Sequence, residues 1–167
     1  MMKTRMLAAA ALAAFTAGCQ AESPAPTAAE AAPATAPSGL PLVPLKIVSG
    51  PRSHAFTVEV AATDDEQARG LMFREALAPN AGMVFPFPAP RPASFWMRNT
   101  LIPLDMIFIR ADGTIARIAA NTVPHSLEPV AVGEPVAAVL EIAGGRAATL
   151  GIKEGDVVTW SDPKAGG

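Results

Sequence analysis

Between residues 43 and 162 the chain alternates apolar and polar side chains in short runs broken by glycine and proline. In HAFTVEVA, residues 54–61, Phe56, Val58 and Val60 alternate with Thr57 and Glu59, the two-residue period of a strand with one buried face. LKIVSG, residues 45–50, reads as a second strand, and the turn Gly50-Pro51-Arg52-Ser53 joins the two as a hairpin. Thr63 is placed to cap a helix over DDEQARGLMF: Glu66 three residues on completes a capping box, and Asp64 and Asp65 favour the positive end of the helix dipole. Gly70 should end that helix. GMVFPFP reads as a short strand, after which Pro88, Pro90 and Pro92 forbid regular pairing until a strand at 94–99. Ile102-Pro103-Leu104 forms a corner, and MIFIRADGTIARIAANTV is two strands around the turn dipeptide Asp112-Gly113. A strand at 136–142, a short helix RAATLG opened by Gly144 and Gly145, and a last strand at 156–161 complete the domain. The predicted fold is mainly β, a β-rich α+β arrangement: a single compact, bent, barrel-like domain of short strands with two short helices. It covers residues 43–162 and leaves 163–167 as a flexible tail.

Residues before 43 follow a different pattern. Residues 1–19 begin with Lys3 and Arg5, continue as an uncharged Ala/Leu/Phe run and end in small residues before Cys19, the tripartite form of a secretory signal peptide. Thr16-Ala17-Gly18-Cys19 resembles a bacterial lipobox, in which the cysteine takes a diacylglyceryl group and becomes the first residue of the mature chain; Thr16 departs from the usual leucine. Two or three acyl chains, at about 0.8 kcal/mol per buried methylene, make a lasting anchor. Gln20 rather than aspartate after the cysteine points to the outer rather than the inner membrane. Residues 20–42 are dominated by Ala and Pro and have almost nothing to bury, so they read as a disordered tether.

Composition narrows the chemistry. Cys19 is the single cysteine, so neither a disulfide nor a cysteine-based zinc site can staple the fold. The formal charge is −2, and the mature part has no lysine or arginine cluster, which argues against nucleic-acid binding and against electrostatic docking on a membrane. The Gly144-Gly145 pair lacks the lysine and hydroxyl spacing of a phosphate loop, and no cofactor or metal is expected.

Several segments in order, TDDEQARGLMFR (63–74), GMVFPF (82–87), FWMRNTLIPLDMIF (95–108), VLE (139–141) and LGIKEGDV (150–157), resemble the motifs of the bacterial and archaeal family known as domain of unknown function 192. The resemblance implies a small exported or membrane-attached β-rich domain; it implies no reaction, substrate or catalytic residue.

The polar residues of SFWMRNTLIPLDMIF are the first site candidates. Arg98 can clamp an anion, Asn99 can present an amide, and Asp105 can act as a base. Alternatively Asp105 accepts backbone N–H groups at the corner, Asn99 caps a strand end and Arg98 pairs with a surface acid. His125 lies in a loop with Ser126 and Glu128, too compressed in sequence to suggest a hydrolase triad. Met72, Phe73, Met83, Trp96, Met97 and Met106 are core residues or the lining of an apolar pocket rimmed by Arg74, Arg98 and Asn99. Glu141, inside an apolar strand, faces solvent, pairs with an arginine, or has a raised pKa. The ligand-binding candidates are therefore Arg74, Trp96, Arg98, Asn99, Asp105 and Glu141. The leading expectation is a lipid-anchored, periplasm-facing envelope module that binds a small molecule, a polymer or a protein near Trp96. The alternatives are a small hydrolase or transferase using Arg98, Asn99 and Asp105, or a purely structural lipoprotein.

Overall fold

The structure is a computed structural model in which residues 36–161 are described. The expected leader with Cys19, residues 20–35 of the expected tether and the tail 163–167 lie outside the described residues.

β1 (Leu42–Ser49) and β2 (Arg52–Val60) form the expected hairpin, in register from Leu42 opposite Glu59 to Ser49 opposite Arg52. α1 (Asp64–Arg69) starts on the predicted capping box: Thr63 Oγ1 accepts the Glu66 N–H at 3.3 Å, and the Glu66 carboxylate accepts the Thr63 N–H at 2.8 Å. The helix stops at Gly70, whose φ of 49° and ψ of −135° suit only glycine. α1 and the following turn carry the chain across to β3 (Ala81–Arg91), which pairs parallel to β2. After β4 (Ser94–Phe95) come β5 (Leu104–Ile109) and β6 (Ile115–Thr122), paired around the Asp112-Gly113 turn as predicted. β7 (Val130–Ala131), β8 (Val136–Ala143), α2 (Arg146–Leu150) and β9 (Val157–Trp160) follow.

Seven strands form one bent sheet in the order β6-β5-β8-β3-β2-β1-β9, and β4 pairs with β7 separately. The central strands are buried on both faces, which is why β5 reads as an apolar run broken by Asp105 alone rather than as an alternation. One face carries Val84, Ile107, Leu140 and Ile142 into a core shared with β1, β2 and α2. The other carries Met83, Phe85, Met106, Phe108 and Val139 into a second core, covered by Leu71, Ala93, Met97 and Phe95. Phe95 stands edge-on to Phe85 at 5.1 Å and to Phe108 at 6.4 Å between ring centres.

Three expectations are corrected. The sheet is not closed into a barrel: its ends meet at one bridge, Thr114 to Val157, on the outer edge of the four-residue β9, whose other edge pairs with β1. The strand expected at 94–99 ends at Phe95, and Asn99 adopts a left-handed turn with φ 57°. The prolines after Phe87 interrupt pairing but do not end it, since Arg91 pairs again with Val136. Ahead of β1, Ala36 is buried, and Ser38 Oγ donates to Glu59.

Candidate functional site

Three turns meet at one end of the domain. The turn after α1 joins the β4–β5 loop through Phe73 N–H to Asn99 O at 2.9 Å. The loop after β6 joins the same β4–β5 loop twice, through Met97 N–H to Ser126 O at 2.9 Å and His125 N–H to Thr100 O at 3.1 Å. Phe73, Asn99 and His125, one from each turn, all hold positive φ, between 57° and 64°. Asparagine tolerates this conformation; for a bulky phenylalanine it is uncommon and is held by its surroundings. Five of the six large apolar side chains exposed among the described residues, Phe73, Trp96, Leu101, Val123 and Leu127, lie on these turns.

Between α1 with its following turn, the β4–β5 loop and the sheet lies a pocket of about 330 Å³. Leu71, Met72, Phe85, Phe95 and Trp96 supply apolar walls; Ser94 and Thr100 contribute hydroxyls, and Arg69 and Arg91 are charged and exposed. Glu141 is also part of its lining. That residue sits in β8 between Met83 of β3 and Met106 of β5, alternating with Leu140 and Ile142, which enter the opposite core. Its side chain therefore stands on the apolar face of Met83 and Phe85 and is only 5% exposed. No hydrogen bond or ion pair holds its carboxyl among the described residues, and burial alone pushes its pKa up from 4.5 to about 8. At neutral pH it is mostly a carboxylic acid.

A second buried carboxylate shows the contrast. Arg74 grips Glu59 with two bonds of 2.5 and 2.7 Å, and Ser38 adds a third donor. An open groove of about 780 Å³ passes Arg74 and Phe73, and the arginine on its wall is already paired with Glu59.

The other sequence candidates divide. Trp96 lies in the Glu141 pocket and half exposed, with the Arg98 guanidinium stacked 5.5 Å above its ring. Arg98 thus stacks on an aromatic ring where pairing with an acid was one expectation. Asn99 directs its amide to Met72 Sδ at 3.8 Å. Asp105 is fully buried on the opposite side of β5, where its carboxylate accepts the N–H groups of Asn121, Gly145 and Ala147, each at 2.8 Å. It thereby caps α2, whose own N-cap residue is a glycine without a side chain to do so. No hydrogen bond joins Arg98, Asn99 or Asp105 to one another, nor His125 to Ser126 or Glu128, among the described residues. No group of three or more His, Cys, Asp or Glu suited to a metal occurs among them either. Glu141 has no arginine partner among the described residues, so of the three alternatives read from its sequence the solvent-facing and paired ones fall away and the raised pKa remains. Gln67, Ser94 and Arg91, which no sequence argument singled out, complete the pocket; only tertiary structure brings them together.

A family model described as "DUF192: Uncharacterized ACR" matches residues 46–160. The chain belongs to the DUF192 family. Among solved structures, a protein of unknown function from Novosphingobium aromaticivorans DSM 12444 is 51% identical, over 78% of this chain and 94% of that one, with a TM-score of 0.76. A conjectured transcription regulator from Sinorhizobium meliloti 1021 is 41% identical, over 72% of this chain and 95% of that one, with a TM-score of 0.71. No curated protein matches. For this DUF192 protein the pocket chemistry therefore has to carry the functional reading.

Proposed function

We propose that this DUF192 protein is an exported envelope module, anchored through a lipid on Cys19 and facing the periplasm from the outer membrane, that binds a small amphipathic molecule in the Glu141 pocket. One observation carries the reading: a carboxyl group more than nine-tenths buried, with no partner among the described residues, opens into a pocket walled by Phe95 and Trp96. Burying an ionisable group without a partner is costly, and a neutral side chain of similar size would avoid that cost. Such groups concentrate at functional sites. The pocket lies at the lower end of the size range of small-molecule sites and sets apolar walls beside the polar or charged Gln67, Arg69, Arg91, Ser94, Thr100 and Glu141. Hydrolysis around Arg98, Asn99 and Asp105 finds no comparable support, because the Asp105 carboxylate is occupied by three backbone donors. The conjectured regulatory role of the Sinorhizobium protein gains no support either, since this chain has no basic cluster.

Two measurements test the reading. Labelled palmitate should enter the wild-type protein and fail to enter Cys19→Ser, which should leave the membrane fraction; equal labelling refutes the anchor. Screening a library of small amphiphiles by thermal shift should yield ligands whose effect disappears in Trp96→Ala and in Glu141→Gln. Ligands that stabilise both variants as strongly as wild type would refute the pocket.

A further inference from the structure

We infer that the Glu141 pocket takes a molecule bearing a primary ammonium group, which pairs with the Glu141 carboxylate while its apolar body lies against Phe95 and Trp96. The inference rests on the pocket reading and goes beyond it by naming the ligand's charge.

The pocket contains a potential anion, and neither of the arginines that line it bonds that group. Every other strongly buried acid of the domain has its partners: Glu59 has Arg74 and Ser38, Asp105 has three backbone donors, and Asp156 Oδ2 accepts the Lys153 N–H at 2.8 Å. The fold can thus satisfy a buried carboxylate, and at Glu141 it leaves the partner out. The neighbours across the sheet, Met83 and Met106, carry no charge. β4 offers Ser94 and Phe95, and the β4–β5 loop Trp96 and Thr100. The charged groups lining the same pocket are Arg69 from α1 and Arg91 from β3, and Arg91 is stacked on the Phe87 ring at 4.0 Å from its centre. Neither bonds Glu141. Both are exposed, so they line the open side and suit an anionic group at the far end of the ligand. A cation at the floor and an anion at the rim describe a zwitterion with an apolar side group, of a size between an amino acid and a dipeptide for a pocket of about 330 Å³.

An ammonium ligand must displace the proton that Glu141 holds near neutral pH. Binding should therefore release close to one proton at pH 7, and affinity should rise about 50-fold from pH 6 to pH 8 as the ionised fraction grows, levelling off above.

The test uses the full chain in detergent and four probes: phenylalanine, phenethylamine, 3-phenylpropionate and the neutral 3-phenylpropanamide. Calorimetry in buffers of differing ionisation enthalpy counts the protons. Phenylalanine and phenethylamine should bind wild type with the predicted proton release and lose at least 10-fold in affinity in Glu141→Gln, a nearly isosteric change that leaves the sheet intact. The propionate should not bind. If the propanamide binds as tightly as the amines, or if amine binding releases no proton, the ammonium inference fails and the pocket reading stands. If none of the four binds at millimolar concentration, both fail.

Discussion

Replacing Glu141 with glutamine should make the protein more stable, and by an amount that grows with pH. The unfolded chain ionises this residue near 4.5, whereas the folded chain holds its proton to about 8. Between those values the folded state binds more protons than the unfolded state, so stability falls as pH rises through the window. The slope is about 1.4 kcal/mol per pH unit, which gives roughly 3 kcal/mol lost by pH 7 and about 5 kcal/mol by pH 9. Below 4.5 both states carry the neutral acid and the loss vanishes; above 8 both are ionised and it levels off. Glutamine occupies the same volume and never ionises. Wild type and Glu141→Gln should therefore agree within about 1 kcal/mol at pH 4, and the variant should be more stable by roughly 3 kcal/mol at pH 7. The assay is urea unfolding followed by far-ultraviolet circular dichroism at pH 4, 7 and 9, taking the difference between the two proteins at each pH. That difference cancels the groups the variant leaves untouched, including Asp112 and Glu134, whose pKa values are lowered chiefly by bonds to Thr114 and Arg110 and which titrate in the acid range. A difference that does not change with pH, or a variant less stable at pH 7, would show that Glu141 keeps its charge through a partner and would remove the physical basis of the pocket assignment.

Three further outcomes follow from the same structure. Asp105→Ala strands the N–H groups of Asn121, Gly145 and Ala147 and should cost about 4 kcal/mol or more in chemical denaturation, at 1–3 kcal/mol per buried unpaired donor. Arg74→Ala leaves Glu59 buried without its cation and should cost about 3 kcal/mol; adding Glu59→Gln to the same chain should recover part of that loss, and a double variant no better than the single would refute the charge argument. Gly144→Ala would place a methyl group 2.7 Å from Asn121 Oδ1 and 2.9 Å from the Pro103 carbonyl carbon, so the melting temperature should drop by several degrees even though alanine is ordinarily a mild change.

The elements that could be read from sequence are those whose causes are local. The capping box at Thr63 and Glu66 and the Asp112-Gly113 hairpin each depend on residues a few positions apart, and each forms as expected, whereas the alternation in β2 holds from Phe56 to Val58 and stops at Glu59, which is buried against Arg74. The stretch after Phe95 is different. MRNT follows the strand-favouring pair Phe95-Trp96, yet its backbone groups bond to two other turns, with Met97 donating to Ser126 and Asn99 accepting from Phe73, so its shape is set by residues more than twenty positions away. Closure of the sheet is non-local in the same way: nothing in VVTW says that its outer edge meets the chain at Thr114 in one bridge instead of pairing along β6. Glu141 shows where legibility stops for the site. An acid in the run VLEIA signals that something must hold it or neutralise it, and that much follows from burial energetics. Which of these applies depends on the side chains that two neighbouring strands present beside it. Met83 and Met106 are both neutral, and Arg69 and Arg91 reach the same pocket without bonding the acid, so the carboxyl stays protonated and open. An arginine in place of either methionine would have made the residue a structural ion pair like Glu59 with Arg74. Among the described residues the sheet provides Glu141 with no such partner, and its carboxyl is left to the pocket.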